Sequence, residues 1–194
     1  MKLCGLTGGV GMGKSTAAGF LLQLGARVVD TDEIAREVVQ PGQPALAEIQ
    51  NHFGKKILAP DGNLDRAALA GIVFHDEAAR KKLEAILHPR IRERWSAQAE
   101  AWRKENFAVG VVIIPLLFET QAEASFDKIL CVACSPKSQL ERLNTRGWTA
   151  EQSQQRIAAQ LPVSQKMARA HYVFWSEGAP EILRQQLAAI FPRL

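Results

Sequence analysis

Leu6-Thr7-Gly8-Gly9-Val10-Gly11-Met12-Gly13-Lys14-Ser15-Thr16 is the stretch from which the rest of the chain is read. Gly8, Gly13, Lys14 and Ser15 stand at the spacing of the phosphate-binding P-loop, a glycine-rich turn that joins a strand to a helix. Glycines let successive backbone N–H groups curl inward onto phosphate oxygens, and side chains in place of Gly8, Gly9, Gly11 or Gly13 would obstruct them. Lys14 is expected to reach the β and γ phosphates of a nucleotide such as ATP. The Ser15 hydroxyl would complete a Mg²⁺ sphere made largely of water and phosphate oxygen, and Met12 and Thr16 belong to the same cradle. Context separates this reading from a plain glycine turn with an exposed lysine. Lys2 to Thr7 reads as a strand, and Ala17, Phe20, Leu21 and Leu24 recur at helical spacing until Gly25. The helix that follows the loop aims its positive end at the same anion.

Outward from this unit, strand and helix alternate. Arg27 to Asp30, Val109 to Ile114, Ile129 to Ala133 and Tyr172 to Phe174 read as four further strands, and the apolar run at Val109 suits a buried parallel sheet. Ser135-Pro136 sets a capping hydroxyl before a proline at the first helical position, and Thr149 with Gln152 forms a capping box. The pattern predicts an α/β fold with a five-stranded parallel sheet flanked by helices. Between Asp30 and Val109 lies far more chain than the dozen or so residues a crossover needs. That stretch reads as a helical insertion over the sheet's carboxyl edge, where open α/β folds bind ligands, with Asp65 and Asp76 as caps and Asp61-Gly62 as a turn. We therefore expect one domain: a core of about residues 1–32, 107–136 and 170–194, an insertion of about 33–106, and a small helical lid of about 137–169.

Composition removes several function classes. With 194 residues, 47% hydrophobic residues and a net charge of only +4, the chain is long and apolar enough to bury a core, which disordered chains are not. The apolar run from Phe107 to Phe118 is broken by Gly110 and Pro115 and falls short of the about 20 residues a membrane span requires. The first residues lack the apolar core of a signal peptide, so a cytoplasmic location is expected. Lys and Arg are scattered among acids rather than gathered in runs, which argues for anionic small molecules and against nucleic acid as partners. The sequence is read as a monomer or weak oligomer.

Three groups compete for chemical roles. Asp30-Thr31-Asp32 closes the second strand on the same edge as the P-loop, and if the strand continues, Asp30 and Asp32 face one pocket. Either aspartate alone reads equally as the cap of a helix starting near Glu33. Arg142 and Arg146 lie four apart, on one helical face, and offer guanidinium forks to phosphate from a closing lid; a solvated basic face beside Glu141 is the alternative. Cys131 and Cys134 resemble a redox or zinc pair, but residues three apart on a strand point to opposite faces, so they read as small packing residues. His88-Pro89 marks a junction between two helices, and Trp95 with Trp102 fits a buried helical stripe.

The P-loop stretch, the Asp30-Thr31-Asp32 doublet, Leu87-His88-Pro89, Pro115-Leu116-Leu117-Phe118-Glu119 and Gln139-Leu140-Glu141-Arg142 with Arg146 together resemble the dephospho-CoA kinase family along nearly the full chain. The resemblance implies a P-loop kinase that moves the γ-phosphoryl of ATP to the ribose 3′-hydroxyl of dephospho-CoA, the last step of coenzyme A formation. It further implies Asp32 as base, Lys14 and Arg142 as phosphoryl stabilisers, and acceptor binding by the insertion with Leu116, Leu117, Phe118, His88, Asp30 and Glu119. The chain departs from the family at His171 to Ser176, where acidic residues are usual, and at Gly147. Another small-molecule or nucleoside monophosphate kinase is the nearest alternative. A nucleotide switch would need guanine-reading Asn-Lys-x-Asp and Asp-x-x-Gly elements, which are not found.

Overall fold

Lys2–Gly8 forms β1 because every residue from Leu3 onward is buried, as befits a strand covered on both faces. The computed structural model describes residues Met1–Leu194. After β1 come α1 (Lys14–Gln23), β2 (Arg27–Asp30), α2 (Thr31–Glu37), α3 (Pro44–Phe53), α4 (Arg66–His75) and α5 (Glu77–Lys104). Then follow β3 (Val109–Ile113), β4 (Lys128–Ala133), α6 (Pro136–Thr145), α7 (Ala150–Ala158), α8 (Val163–Arg169), β5 (Tyr172–Trp175) and α9 (Pro180–Ile190). The chain divides into two compact units, Met1–Asp30 with Ala99–Leu194, and Thr31–Gln98. No helix is long and apolar enough to cross a membrane.

The first unit holds the sheet, whose strand order is β2-β3-β1-β4-β5 with every pairing parallel. Leu6 stands opposite both Ile113 and Leu130, Asp30 opposite Ile113, and Ala133 opposite Trp175. Parallel strands end on one edge, so Gly8, Asp30, Pro115, Ser135 and Ser176 all emerge there. The five expected strands are present, β2 at its expected bounds and the others with one end moved by a residue; β3 stops at Ile113, although the Ile114 N–H still donates to the Leu6 carbonyl at 2.9 Å. Ala17, Ala18 and Leu21 of α1 and Leu183 and Leu187 of α9 pack with Leu6, Val111, Val132 and Phe174 in one core. Gly5 and Gly110 are small for a packing reason: a Cβ would lie 2.5 Å from Leu117 Cδ1 and 2.9 Å from Trp102 Cε3, respectively.

Outward from the sheet, sequence signals set the helix starts. The Ser135 hydroxyl accepts from the Ser138 N–H ahead of Pro136, and Thr149 and Gln152 close the full capping box of α7. At the sheet border, the Gln186 side chain accepts from the Trp175 N–H and donates to the Trp175 carbonyl, both at 2.9 Å.

The second unit is helical, with Ile49, Phe53, Ile57, Leu69 and Ile86 buried and Asp65 capping α4 through the Ala67 and Ala68 amides. The expected break at His88-Pro89 does not occur, because α5 runs through Pro89 without interruption. A proline inside a helix removes one bond and crowds a carbonyl, at a cost of about 3 kcal/mol. Arg90, the next residue, donates to the Ile86 carbonyl at 2.7 Å and to Glu48 of α3 at 2.8 Å, which ties this part of α5 to α3. Trp95 and Trp102 are both buried on α5, as the spacing predicts.

Candidate active site

The loop between β1 and α1 can only be built from glycine at its two ends. Gly8 has φ 146°, and a Cβ there would lie 2.2 Å from the Val132 carbonyl oxygen of β4. Gly13, with φ 91°, is the N-cap of α1 and offers no side chain to the first amides of that helix. The first turn of α1 also contains no acidic residue, so no carboxylate within that turn offsets the helix's positive end. The Lys14 ammonium lies across the loop, donating to the Gly8 and Gly9 carbonyls at 3.0 Å each. Ser15 and Thr16 are exposed at the mouth.

Beside the loop is a cleft of about 330 Å³ lined in part by Gly13, Thr16, Arg142, Arg146, Ser176 and Gly178. Arg142 on α6 and Arg146 at its C-cap therefore share one face, as their spacing predicts, and that face is the one bordering the loop. Arg142 is fixed there: Nη1 donates to Ser176 Oγ at 2.9 Å, and Nη2 donates to the Ser176 carbonyl. Ser176 Oγ in turn donates to the Met12 carbonyl at 2.8 Å, so one hydroxyl joins the arginine to the loop. The neighbouring Glu177 accepts from the Ser135 N–H at 2.8 Å, the Ser135 hydroxyl at 2.7 Å and the Ser138 hydroxyl at 2.5 Å. The Ser135 backbone bond, followed by the Ser138 and Ser135 hydroxyls, lowers its pKa to about 2.

Two glutamines meet the loop at its tip. The Val10 N–H donates to Gln160 Oε1 at 2.9 Å, and the Val10 carbonyl accepts from Gln139 Nε2 at 2.7 Å. The segment after β3 is held by a buried cation. Lys166 of α8, with a side chain 0% exposed, donates to the Pro115 carbonyl at 2.7 Å and pairs with Glu119 at 2.8 Å. Thr7 Oγ1 donates to the same carbonyl at 3.2 Å, and Glu119 accepts from the Leu161 N–H at 2.8 Å.

Other predicted site residues are distributed as follows. Leu116 is 37% exposed, Leu117 is fully buried, and Phe118 is buried with the Arg169 guanidinium 4.2 Å from its ring centre. Asp30 ends β2 at the sheet's carboxyl edge. Asp32 does not continue the strand alternation, because the strand stops at Asp30 and α2 begins at Thr31, two residues before the expected start. Ile34 and Val38, both buried, set helical spacing there, and Asp32 and Glu33 favour the positive end of that helix. His88 is exposed on α5. Cys131 and Cys134 are buried, and burial pushes the Cys131 thiol up to about 11.

Sequence reasoning passed over Ser176, Glu177, Gln160 and Lys166. Only Lys166 carried a signal: with Val163 and Met167 it completes an i, i+3, i+4 set on α8, which puts a lysine at an inward position.

A family model for dephospho-CoA kinase matches residues 2–180. A dephospho-CoA kinase from Geobacillus kaustophilus is 45% identical over 187 residues, covering 96% of this chain and 93% of the relative. Among solved structures, TT1252 from Thermus thermophilus superposes with a TM-score of 0.86 at 32% identity over 100% of this chain and 97% of its own. Dephospho-CoA kinase from Campylobacter jejuni gives 0.73 at 27% identity over 98% and 96%. With a P-loop kinase sheet, a glycine cradle and paired arginines at its edge, the chain belongs to the dephospho-CoA kinase family.

Proposed function

We propose that this kinase transfers the γ-phosphoryl group of ATP to the ribose 3′-hydroxyl of dephospho-CoA, forming coenzyme A. The observation that carries the reading is the glycine loop and the open end of α1 beside a cleft lined by Arg146 and by an arginine, Arg142, pinned to the loop through Ser176, with Lys14 lying across the same loop. Such an array has its donors in place before charge develops, which is how phosphoryl transfer is accelerated. Membership of the family supplies the acceptor.

In the transfer, the acceptor oxygen forms a bond to the γ phosphorus while the bond to the bridging oxygen of ADP breaks. Asp32 takes the hydroxyl proton late in that exchange, and Lys14 and Arg142 neutralise the transferred group. Gly8, Gly9, Gly11, Met12, Gly13 and Thr16 hold the phosphates, with Arg146 at the nucleotide. Asp30, His88, Leu116, Phe118 and Glu119 serve the acceptor, while Leu117, fully buried against Gly5, supports that segment from within. Ser15 suits Mg²⁺: it is exposed in the first turn of α1, directly after Lys14, and carries a hard oxygen ligand. When bound there, the ion would neutralise phosphate charge, with water and phosphate oxygens as its remaining ligands.

The test incubates the protein with Mg-ATP and dephospho-CoA, AMP, CMP or shikimate and identifies products by mass spectrometry. Phosphorylation of dephospho-CoA alone is expected; a preference for another acceptor overturns the assignment. In the same assay, Asp32→Asn is expected to keep ATP binding while losing about 10² to 10⁴ in turnover. Near-normal turnover would remove Asp32 as the base and pass the role to Asp30.

A further inference from the structure

Val10 is the one residue at the tip of the phosphate loop whose two backbone groups both bond to side chains from elsewhere in the fold. The partners come from separate elements: Gln139 lies within α6, and Gln160 follows α7 in the turn before α8. With the Val10 N–H and carbonyl both directed at these side chains, the Val10 peptide faces the lid helices and leaves the inner side of the loop to the remaining amides. Gln139 is 5% exposed, so its amide has little access to water if the bond to Val10 is lost. The site is also crowded, since a Cβ on Gly9 would lie 3.2 Å from Gln139 Nε2. Gln139 shares α6 with Arg142, which lies less than one turn further along, and Leu161, next to Gln160, is bonded to Glu119.

We infer that Gln139 and Gln160 are positioning residues that clamp the Val10 peptide, so that the segment carrying the arginines sets how firmly the loop grips the nucleotide. The inference rests on the reading that this loop binds the phosphates of ATP, and it assigns part of that affinity to two residues that touch no phosphate. Their roles have opposite polarity. Gln160 acts as an acceptor, and Gln139 acts as a donor.

The polarity makes one substitution a test at both positions. Gln160→Glu keeps an acceptor for the Val10 N–H and is expected to change the KM for ATP by no more than about threefold. Gln139→Glu sets a carboxylate against the Val10 carbonyl and is expected to raise that KM about tenfold or more at pH 8, with a smaller change in kcat. Gln160→Met, at the less buried position, removes the acceptor and is expected to weaken ATP about fivefold with the thermal midpoint preserved. It keeps the proposal testable if Gln139→Glu does not fold. Equal effects of glutamate at both positions, no effect at either, or unchanged ATP affinity in Gln160→Met would overturn the clamp. Failure of the unaltered enzyme to bind ATP in calorimetry would instead overturn the underlying reading of the loop.

Discussion

The phosphate loop and the wall that faces it are made by different means. The loop is backbone geometry: Gly8 and Gly13 hold positive φ, and Gly8 approaches a neighbouring carbonyl more closely than any Cβ permits. The wall, from α6 to the end of β5, is made of side chains from residues far apart in sequence, chiefly Gln139, Arg142, Ser176 and Glu177. A backbone device admits almost no substitution and announces itself in sequence. A side-chain device tolerates variants that keep a donor or acceptor, and only the part of it that shares one helix, Gln139 with Arg142 and Arg146, shows in the sequence.

The hardest test of that contrast is Gly8→Ala, expected to cost about 4 kcal/mol of stability and to abolish ATP binding, because a methyl group 2.2 Å from the Val132 oxygen forces β1 and β4 apart. Denaturant unfolding with ATP titration measures both; a stable, ATP-binding variant would show that the loop tolerates what its geometry forbids. Arg142→Ala is expected to reduce kcat about 10²-fold while changing ATP affinity far less. A change confined to affinity would make this arginine a ground-state clamp. Ser176→Ala is expected to lower kcat about tenfold, as for a residue that orients a functional one. Made in an Arg142→Ala background it should add almost nothing; additive losses would mean that Ser176 acts by another route.

The smallest expected effect concerns Glu177. Its pKa is lower in the folded chain than in the unfolded one, so its stabilising contribution is complete above about pH 4.5 and is lost as pH falls toward about 2. Glu177→Gln should melt below the unaltered protein at neutral pH, and the gap should close across that window. A gap independent of pH would place the effect in packing rather than in the charge.

How much of this was legible beforehand follows from the same contrast. Local rules sufficed wherever one stretch of chain settles its own geometry: the glycine loop, the apolar strands, Ser135-Pro136 and the Thr149 capping box. They failed where a distant partner decides. Pro89 reads as a break, yet α5 runs on through it beside Arg90, whose partner Glu48 lies on α3. Asp30 and Asp32 read as strand neighbours until the buried Ile34 and Val38 draw Thr31 into a helix. Arg142 and Arg146 were legible as a pair because their spacing is helical. Ser176, which anchors the first of them, lies on another element and carries no pattern of its own.

The Gln186 side chain at the outer border of the sheet has a consequence for solubility. Tyr172–Trp175 is an aromatic, β-branched tetrapeptide, and Val173 and Trp175 show large apolar surfaces to solvent. Such a border invites other chains to add strands and grow into aggregates. By occupying both main-chain groups of Trp175, one carboxamide removes a foothold that an incoming strand would need.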